Sequence, residues 1–498
     1  MRFSFSLSRR DLMKLGFFSF AGATIPLFSG CGSNSTSDTN QIPAYLSGYE
    51  DLYLKDPKLA SLAWFAEAKY GLIIHYGLCS LLGKNGWVMK NENIPLKEYV
   101  QLMDLFTADK FNADEIAELA VLSGMKYVTF TAKHHEGFCH WDTKQTDFNI
   151  MNTPAERDLV GELARACAHR GLGFFLYYSY SADWHHPYFP GAEILPQARD
   201  RSDDPPDMYL LKKEEDISFY IDYVHAQITE LLTNYGSIAG IWLDPLVYYY
   251  MRRDFFPVQK LYDLINKLQP QCLVSFKHGA VGTEDFVAPE WGWGPFTSNW
   301  LSADQLEYAS EIWELGRNKQ GQIAMALSNY FYIPGSPVGD EEFLWSSLEA
   351  ARSRQVNLLT GTGLMGDGAL QQNEVAILKN VGKRLSAEGF PKIPAGEIID
   401  PPPKPSFVRV TYPNGGENLV VSTTGTITWV SDITSENFTV YYRGVDQKFH
   451  KIGDTTQNYL EWELPNTPSS EYLIHVDAFD AEGNFLGSDR SDGPFSLV

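Results

Sequence analysis

The stretch "YVTFTAKHHEGF", residues 127–138, decides how the chain is read. Tyr127–Phe130 is apolar and β-branched, as a buried strand is, so His134 and His135 fall at a strand's C-terminal end. Similar runs open at Tyr70 ("YGLIIHYG"), Phe174 ("FFLYYS"), Ile238 ("IAGIWLDP"), Cys272 ("CLVSFKHG"), Gln322 ("QIAMALSN") and Asn357 ("NLLTGTG"). Between several of them lie segments of helical period, among them "DEIAELAVLSG", "RDLVGELARACAHRG" and "SFYIDYVHAQITELLTNYG". Repeated strand-then-helix units imply a parallel sheet. Seven or eight of them in about 330 residues favour a (β/α)8 barrel over a doubly wound sheet. Seven strands are read directly and the eighth is inferred.

A barrel gathers its chemistry at the C-terminal ends of its strands. The polar residues closing these runs are His75, His134, His135, Tyr178, Asp244, and Lys277 with His278. A metal site is one reading of three imidazoles and a carboxylate, but no HxH or HExxH spacing is present, and adjacent histidines on extended backbone point to opposite faces. The other reading is a polar, uncharged ligand. Trp87, Trp141, Trp184, Trp242, Trp291, Trp293, Tyr177 and Tyr178 accompany the histidines. Aromatic rings stack on the apolar faces of sugars while polar groups read the hydroxyls, so this mixture suits a carbohydrate pocket.

At 498 residues the chain exceeds the usual single-domain size, so two folded units are expected. A net charge of −22 argues against nucleic acid or anionic lipid as partners and leaves neutral ligands open. Residues 1–31 read as a targeting segment: Arg9 and Arg10 precede the apolar run "LGFFSFAGATIPLFSG", and Cys31 follows Ser29 and Gly30. This resembles a twin-arginine export signal ending at a lipoprotein cleavage site, with Cys31 lipidated. The expectation is an exported periplasmic or cell-envelope lipoprotein of a bacterium. Residues 32–44 read as a flexible tether, and no later run reaches the ~20 apolar residues of a membrane span. Cys79, Cys139, Cys167 and Cys272 form no CxxC pair, so neither a metal nor another cofactor is expected, and disulfide pairing stays open.

The barrel is expected over residues 45–399. A Pro-rich linker, residues 400–406, ends it, and 407–498 change to short alternating strands such as "GTITWV", "NFTVYYRG" and "YLIHVDAFD". That pattern reads as an immunoglobulin-like or fibronectin-like β-sandwich, with a structural role favoured over a spacer or carbohydrate-binding one.

Four ordered motifs sharpen the picture: "KYGLIIHYGLCS", "SGMKYVTFTAKHHEGFCHWDTKQTDFNI", "RDLVGELARACAHRGLGFFLYYSYSADWHHPYF" and "GIWLDP". They resemble, in order, motifs of the α-L-fucosidases of glycoside hydrolase family 29 over about residues 60–250, with weaker similarity onward to about 390. The resemblance implies a retaining exo-glycosidase that releases L-fucose from fucosylated oligosaccharides or glycoconjugates. It implies that His75, Trp87, His134 and His135 bind the sugar, that Tyr178 and Trp242 line its pocket, and that Asp244 is the nucleophile. Retention also requires an acid/base carboxyl about 5 Å from the nucleophile.

Here the sequence departs from the family. The family's glutamate in a "WExxMT"-like context aligns in register with Gln322, and an amide cannot donate a proton as an acid does. Glu311 in "SEIWELGRN" is therefore taken as the acid/base, with Glu314 and Glu290 as further candidates. Glu311 and Glu314 can equally be the solvated face of a helix begun at Ser302. Relatives carry Glu-Trp where this chain has Gly86-Trp87, and "NLLTGTGLMGDGAL" lacks the family's Asn and Pro at that motif. An alternative reading follows: a catalytically impaired barrel that binds glycans without cleaving them.

Overall fold

The computed structural model describes residues 42–195, 198–394, 396–401, 408–431, 437–446, 448–479, 485–491 and 493–498. The signal segment with Cys31, most of the tether and most of the Pro-rich linker lie outside the described residues. The chain divides into two compact units: one runs to Ile333 and resumes over Asp340–Pro403, and the other holds Pro334–Gly339 with Lys404–Val498.

The first unit is a curled, TIM-like sheet of seven parallel strands: β1 Tyr70–His75, β2 Tyr127–Lys133, β3 Gly173–Ser179, β4 Gly240–Asp244, β5 Leu273–Ser275, β6 Gln322–Ala326 and β7 Asn357–Gly363. Their order, β5-β4-β3-β2-β1-β7-β6, leaves β5 and β6 at the edges. Every residue of the seven is buried, because helices cover one face and interior side chains the other. Helices α1 Pro57–Ala68, α2 Ala113–Leu122, α3 Leu159–His169, α4 Ile217–Asn234, α5 Val258–Leu268, α6 Ala303–Gly316, α7 Glu341–Ser353 and α8 Gln372–Glu388 alternate with them. Several begin on side-chain caps at Asp56, Asn112, Asp158, Ser302 and Asp340, which satisfy amides that have no partner within the helix.

The inferred eighth strand is an irregular extended segment, residues 285–291. The amides of Asp285 and Ala288 donate to the carbonyls of Val274 and Lys277 on the β5 side. The amides of Gln322 and Ala324 donate to Val287 and Pro289 on the β6 side. The segment therefore joins the two sheet edges, with Phe286 and Ala288 turned into the interior core. That core is aromatic: Trp64 and Phe65 of α1 meet Tyr127, Phe175 and Phe286. Gly173 makes room for it, since a Cβ there would lie 2.4 Å from the Trp64 ring.

The second unit is all-β, with a three-stranded sheet and a six-stranded one. Ile427, Trp429, Phe438, Trp462, Ile474, Val476 and Phe495 fill the core shared by its strands. Cys79, Cys139, Cys167 and Cys272 are buried free thiols. Among the described residues, no helix is long and apolar enough to cross a membrane.

Candidate active site

Asp244 ends β4 and is almost closed off from solvent. Its carboxylate is held from two sides: the Tyr177 hydroxyl donates to Oδ2 at 2.6 Å, and the Lys277 ammonium lies 2.8 Å from Oδ1. The same ammonium lies 2.9 Å from Oε2 of Glu290. Two such legs from one nitrogen hold these carboxylate oxygens less than about 6 Å apart, the range of a paired-carboxylate glycosidase site. Glu290 ends the segment that joins β5 to β6. It is the more open of the pair, with 30% of its side chain exposed against 6% for Asp244.

Burial raises the Asp244 carboxyl above its ordinary range, and the Lys277 ammonium opposes that rise. Burial alone would depress Lys277, but Asp244 and Glu290 outweigh it and hold the ammonium above its usual value. Lys277 and Trp291 both have left-handed backbone, φ 47° and 58°, which is uncommon for residues with side chains. The turns after β5 and after Glu290 thus accept strain where they aim the lysine and the glutamate.

The histidines converge beside this pair. The rings of His134 and His135 lie 3.8 Å apart, because the chain leaves extended geometry immediately after Lys133 and turns. Opposite-facing side chains, as extended backbone would give, are therefore not what forms. His135 Nε2 is 3.6 Å from Asp244 Oδ2, and the His75 ring is 4.8 Å from that of Tyr177. His75 and His135 are set by the same device. The Thr131 hydroxyl donates to the Ile74 carbonyl and meets His75 Nδ1 at 2.6 Å; the Ser179 hydroxyl donates to the Ala182 carbonyl and meets His135 Nδ1 at 2.8 Å. Each hydroxyl has spent its proton, so each Nδ1 carries the hydrogen and each Nε2 is left as an acceptor. Burial, with the positive charge of Lys277 nearby, keeps both rings well below the usual histidine pKa and hence neutral. Neutral acceptors suit hydroxyl groups. Among the described residues, Trp242 Nε1, His135 Nε2 and the Tyr330 hydroxyl are buried with no hydrogen-bond partner.

Of the residues expected at the site, the structure brings together Asp244, His75, His134, His135, Trp87 and Trp242. The Trp87 ring packs 4.7 Å from His135, and Lys277 sits over Trp242 at 5.3 Å. Tyr178 is not among them: its hydroxyl donates to Gln227 of α4, and its ring lies under Lys133. Strand alternation turns Tyr177 toward Asp244 and Tyr178 away. Glu311 is likewise not brought in. It stands on the exposed face of α6, as does Glu314, which pairs with Arg317. Gln322 opens β6 at the end opposite the mouth, where its side-chain oxygen accepts from Tyr127.

Residues the sequence did not single out are Tyr330 and Phe331; Tyr177 and Lys277 were named only among the aromatic and strand-end residues, and Glu290 was a lesser candidate. Lys277 was legible as a strand-end residue, whereas Tyr330 and Phe331 follow β6 with no motif to mark them. Phe331 stacks on His75 with ring centres 4.8 Å apart. It also accounts for Gly86, where a Cβ would lie 2.6 Å from the Phe331 ring and 2.5 Å from that of His134. Phe331 and His134 thus occupy the space that a side chain at position 86 would take. Among the described residues, no group of three His, Cys, Asp or Glu side chains is placed to hold a metal ion.

Paired carboxyls at the mouth of a β/α barrel, flanked by neutral imidazoles and aromatic rings, define the glycoside hydrolase class of site. The sequence profile of the α-L-fucosidase family matches residues 47–390, and the chain belongs to that family. It is 37% identical over 147 residues to the human plasma α-L-fucosidase, covering 26% of this chain and 31% of that protein. It is 33% identical over 168 residues to the bovine tissue α-L-fucosidase, covering 28% and 36%. The chain thus spans about a third of the length of these curated relatives. Among solved structures it resembles the α-L-fucosidase AlfC of Lactobacillus casei in complex with its α-L-fucose product. The TM-score is 0.53 at 28% identity, covering 66% of this chain and 98% of that one. The fold is also that of α-L-fucosidase isoenzyme 1 of Paenibacillus thiaminolyticus, with TM-score 0.57 at 23% identity over 85% of this chain and 99% of that one.

The end of β2 is braced by a fully buried ion pair, Lys133 with Asp183 at 2.8 Å, and the Asp183 side chain also accepts from the amides of His185 and His186. Lys133→Met leaves a buried carboxylate uncompensated. Chemical denaturation should show a loss of about 3–5 kcal/mol in the barrel transition.

Proposed function

We propose that this protein is an exo-acting, retaining α-L-fucosidase in which Asp244 is the nucleophile and Glu290 the acid/base. One observation carries the reading: a buried and a half-open carboxylate, held less than about 6 Å apart by one ammonium at the barrel mouth. Asp244 attacks the anomeric carbon while Glu290 protonates the departing glycosidic oxygen, giving a covalent glycosyl-enzyme. Glu290 then takes a proton from water, which attacks the same carbon and releases fucose with Asp244 restored. Exposure supports this division of roles, since the nucleophile works inside the sugar pocket and the acid faces the leaving group and solvent. His75 and His135 accept from sugar hydroxyls through Nε2, and Trp242 and Tyr330 donate. The substrates are fucosylated oligosaccharides or glycoconjugates. The alternative of a glycan-binding barrel that does not cleave is less favoured by the paired carboxyls of Asp244 and Glu290, and fucose binding without turnover would support it.

With 4-nitrophenyl α-L-fucoside, Asp244→Asn should abolish turnover. Glu290→Ala should lower turnover of natural fucosides by about 10²–10⁴-fold, with azide restoring release from the aryl fucoside. Glu311→Ala should stay within twofold of wild type. A wild-type protein that releases no fucose, or a Glu311→Ala variant as impaired as Glu290→Ala, would overturn the reading.

We further propose that the chain is exported by its twin-arginine segment and anchored through lipid on Cys31. Cys31→Ala should move the protein from the membrane fraction to the soluble fraction on cell fractionation; an unchanged distribution would rule out the anchor.

A further inference from the structure

Lys277 is set apart from the other groups around Asp244 by touching both carboxylates almost equally, at 2.8 and 2.9 Å. It comes from the β5 end on a left-handed backbone, and only 12% of its side chain is exposed. The other titratable groups facing Asp244 are His135, Tyr177, Glu290 and Tyr330, with His75 behind Tyr177. His134, paired with Glu136, lies behind His135, and Lys277 is the cation in direct contact with both carboxylates.

We propose that Lys277 is a positioning residue that serves as the fixed counter-ion for a single negative charge, which moves from Asp244 to Glu290 and back in each catalytic cycle. This deepens the glycosidase reading above and rests on it. The first step needs the charge on Asp244 and the proton on Glu290; a protonated carboxyl still accepts from Lys277 through its carbonyl oxygen while offering its O–H to the leaving group. As the Asp244 oxygen bonds to the anomeric carbon and the glycosidic C–O bond breaks, the Glu290 proton passes to the departing oxygen. Asp244 is then a neutral ester and Glu290 a carboxylate. When water is deprotonated by Glu290 and its oxygen displaces Asp244, the charge returns. The three groups sum to zero at every stage. Without Lys277 each stage would leave one uncompensated charge in a largely buried site. Near-equal distances mean that the ammonium does not have to travel, so the stabilisation is already in place when the charge moves.

The test compares wild type, Lys277→Met and Lys277→Arg by kcat/KM for 4-nitrophenyl α-L-fucoside across pH, with circular dichroism to verify folding. The acid limb of kcat/KM reports protonation of the free-enzyme nucleophile. Loss of the cation should lower kcat/KM by about 10²–10³-fold and move that limb to higher pH by about 1–3 units. Lys277→Arg, which keeps the charge, should hold the limb within half a unit of wild type, on the order of the smallest resolvable shift. If Lys277→Met fails to fold, Lys277→Gln carries the same expectation. A variant without the cation that loses rate while its acid limb stays put would make Lys277 merely structural and overturn the inference, with the fucosidase reading intact. A wild type inactive on the fucoside would remove both.

Discussion

One ammonium group shared by two carboxylates is the constraint on which this active site depends. Asp244 and Glu290 come from staves of the barrel separated by β5, and two carboxylates brought this close repel each other unless a cation lies between them. Lys277 is that cation. Its position is prepared by the left-handed turn after β5, and that of Glu290 by the turn at Trp291. The barrel therefore does more than present strand ends at one mouth. It brings three ionisable groups into register from β4, β5 and the segment that joins β5 to β6.

Around this charged centre the pocket is built mostly from imidazoles and aromatic rings, with the buried Glu136 carboxylate 3.2 Å from His134. Thr131 and Ser179 each hand a proton to a backbone carbonyl and so fix the tautomer of a histidine, turning two basic residues into uncharged acceptors. Trp87, Trp242, Tyr330 and Phe331 supply aromatic surface, and Phe331 fills the space that Gly86 leaves. Neutral imidazoles and aromatic rings beside the Asp244–Lys277–Glu290 cluster suit an uncharged sugar, whose hydroxyls need hydrogen bonds rather than counter-ions.

Much of this was legible in the sequence. All seven strands of the sheet are hydrophobic runs bounded by helical segments, and His75, His134, His135 and Asp244 stand at their ends as barrel geometry requires. What was not legible has physical causes. The stave that carries Glu290 is short, interrupted by Pro289 and free of hydrophobic periodicity, so "EDFVAPE" did not read as a strand; its pairing comes from the neighbours it joins. Tyr177 and Tyr178 could not be separated by burial pattern, because both faces of a barrel strand are covered and both side chains are buried. Glu311 looked attractive by local resemblance, yet its helical period puts it in solvent. The close approach of His134 to His135 depends on the strand ending at Lys133, which alternation alone does not show.

The central claim is that Asp244 becomes covalently bonded to the sugar. Incubation with 2-deoxy-2-fluoro-α-L-fucosyl fluoride, followed by proteolysis and mass spectrometry, tests it directly. The account predicts a single fluorofucosyl adduct on the peptide carrying Asp244, on the wild-type protein and absent from Asp244→Asn. An adduct on another carboxylate, or fucoside hydrolysis with inverted stereochemistry and no adduct, would contradict it.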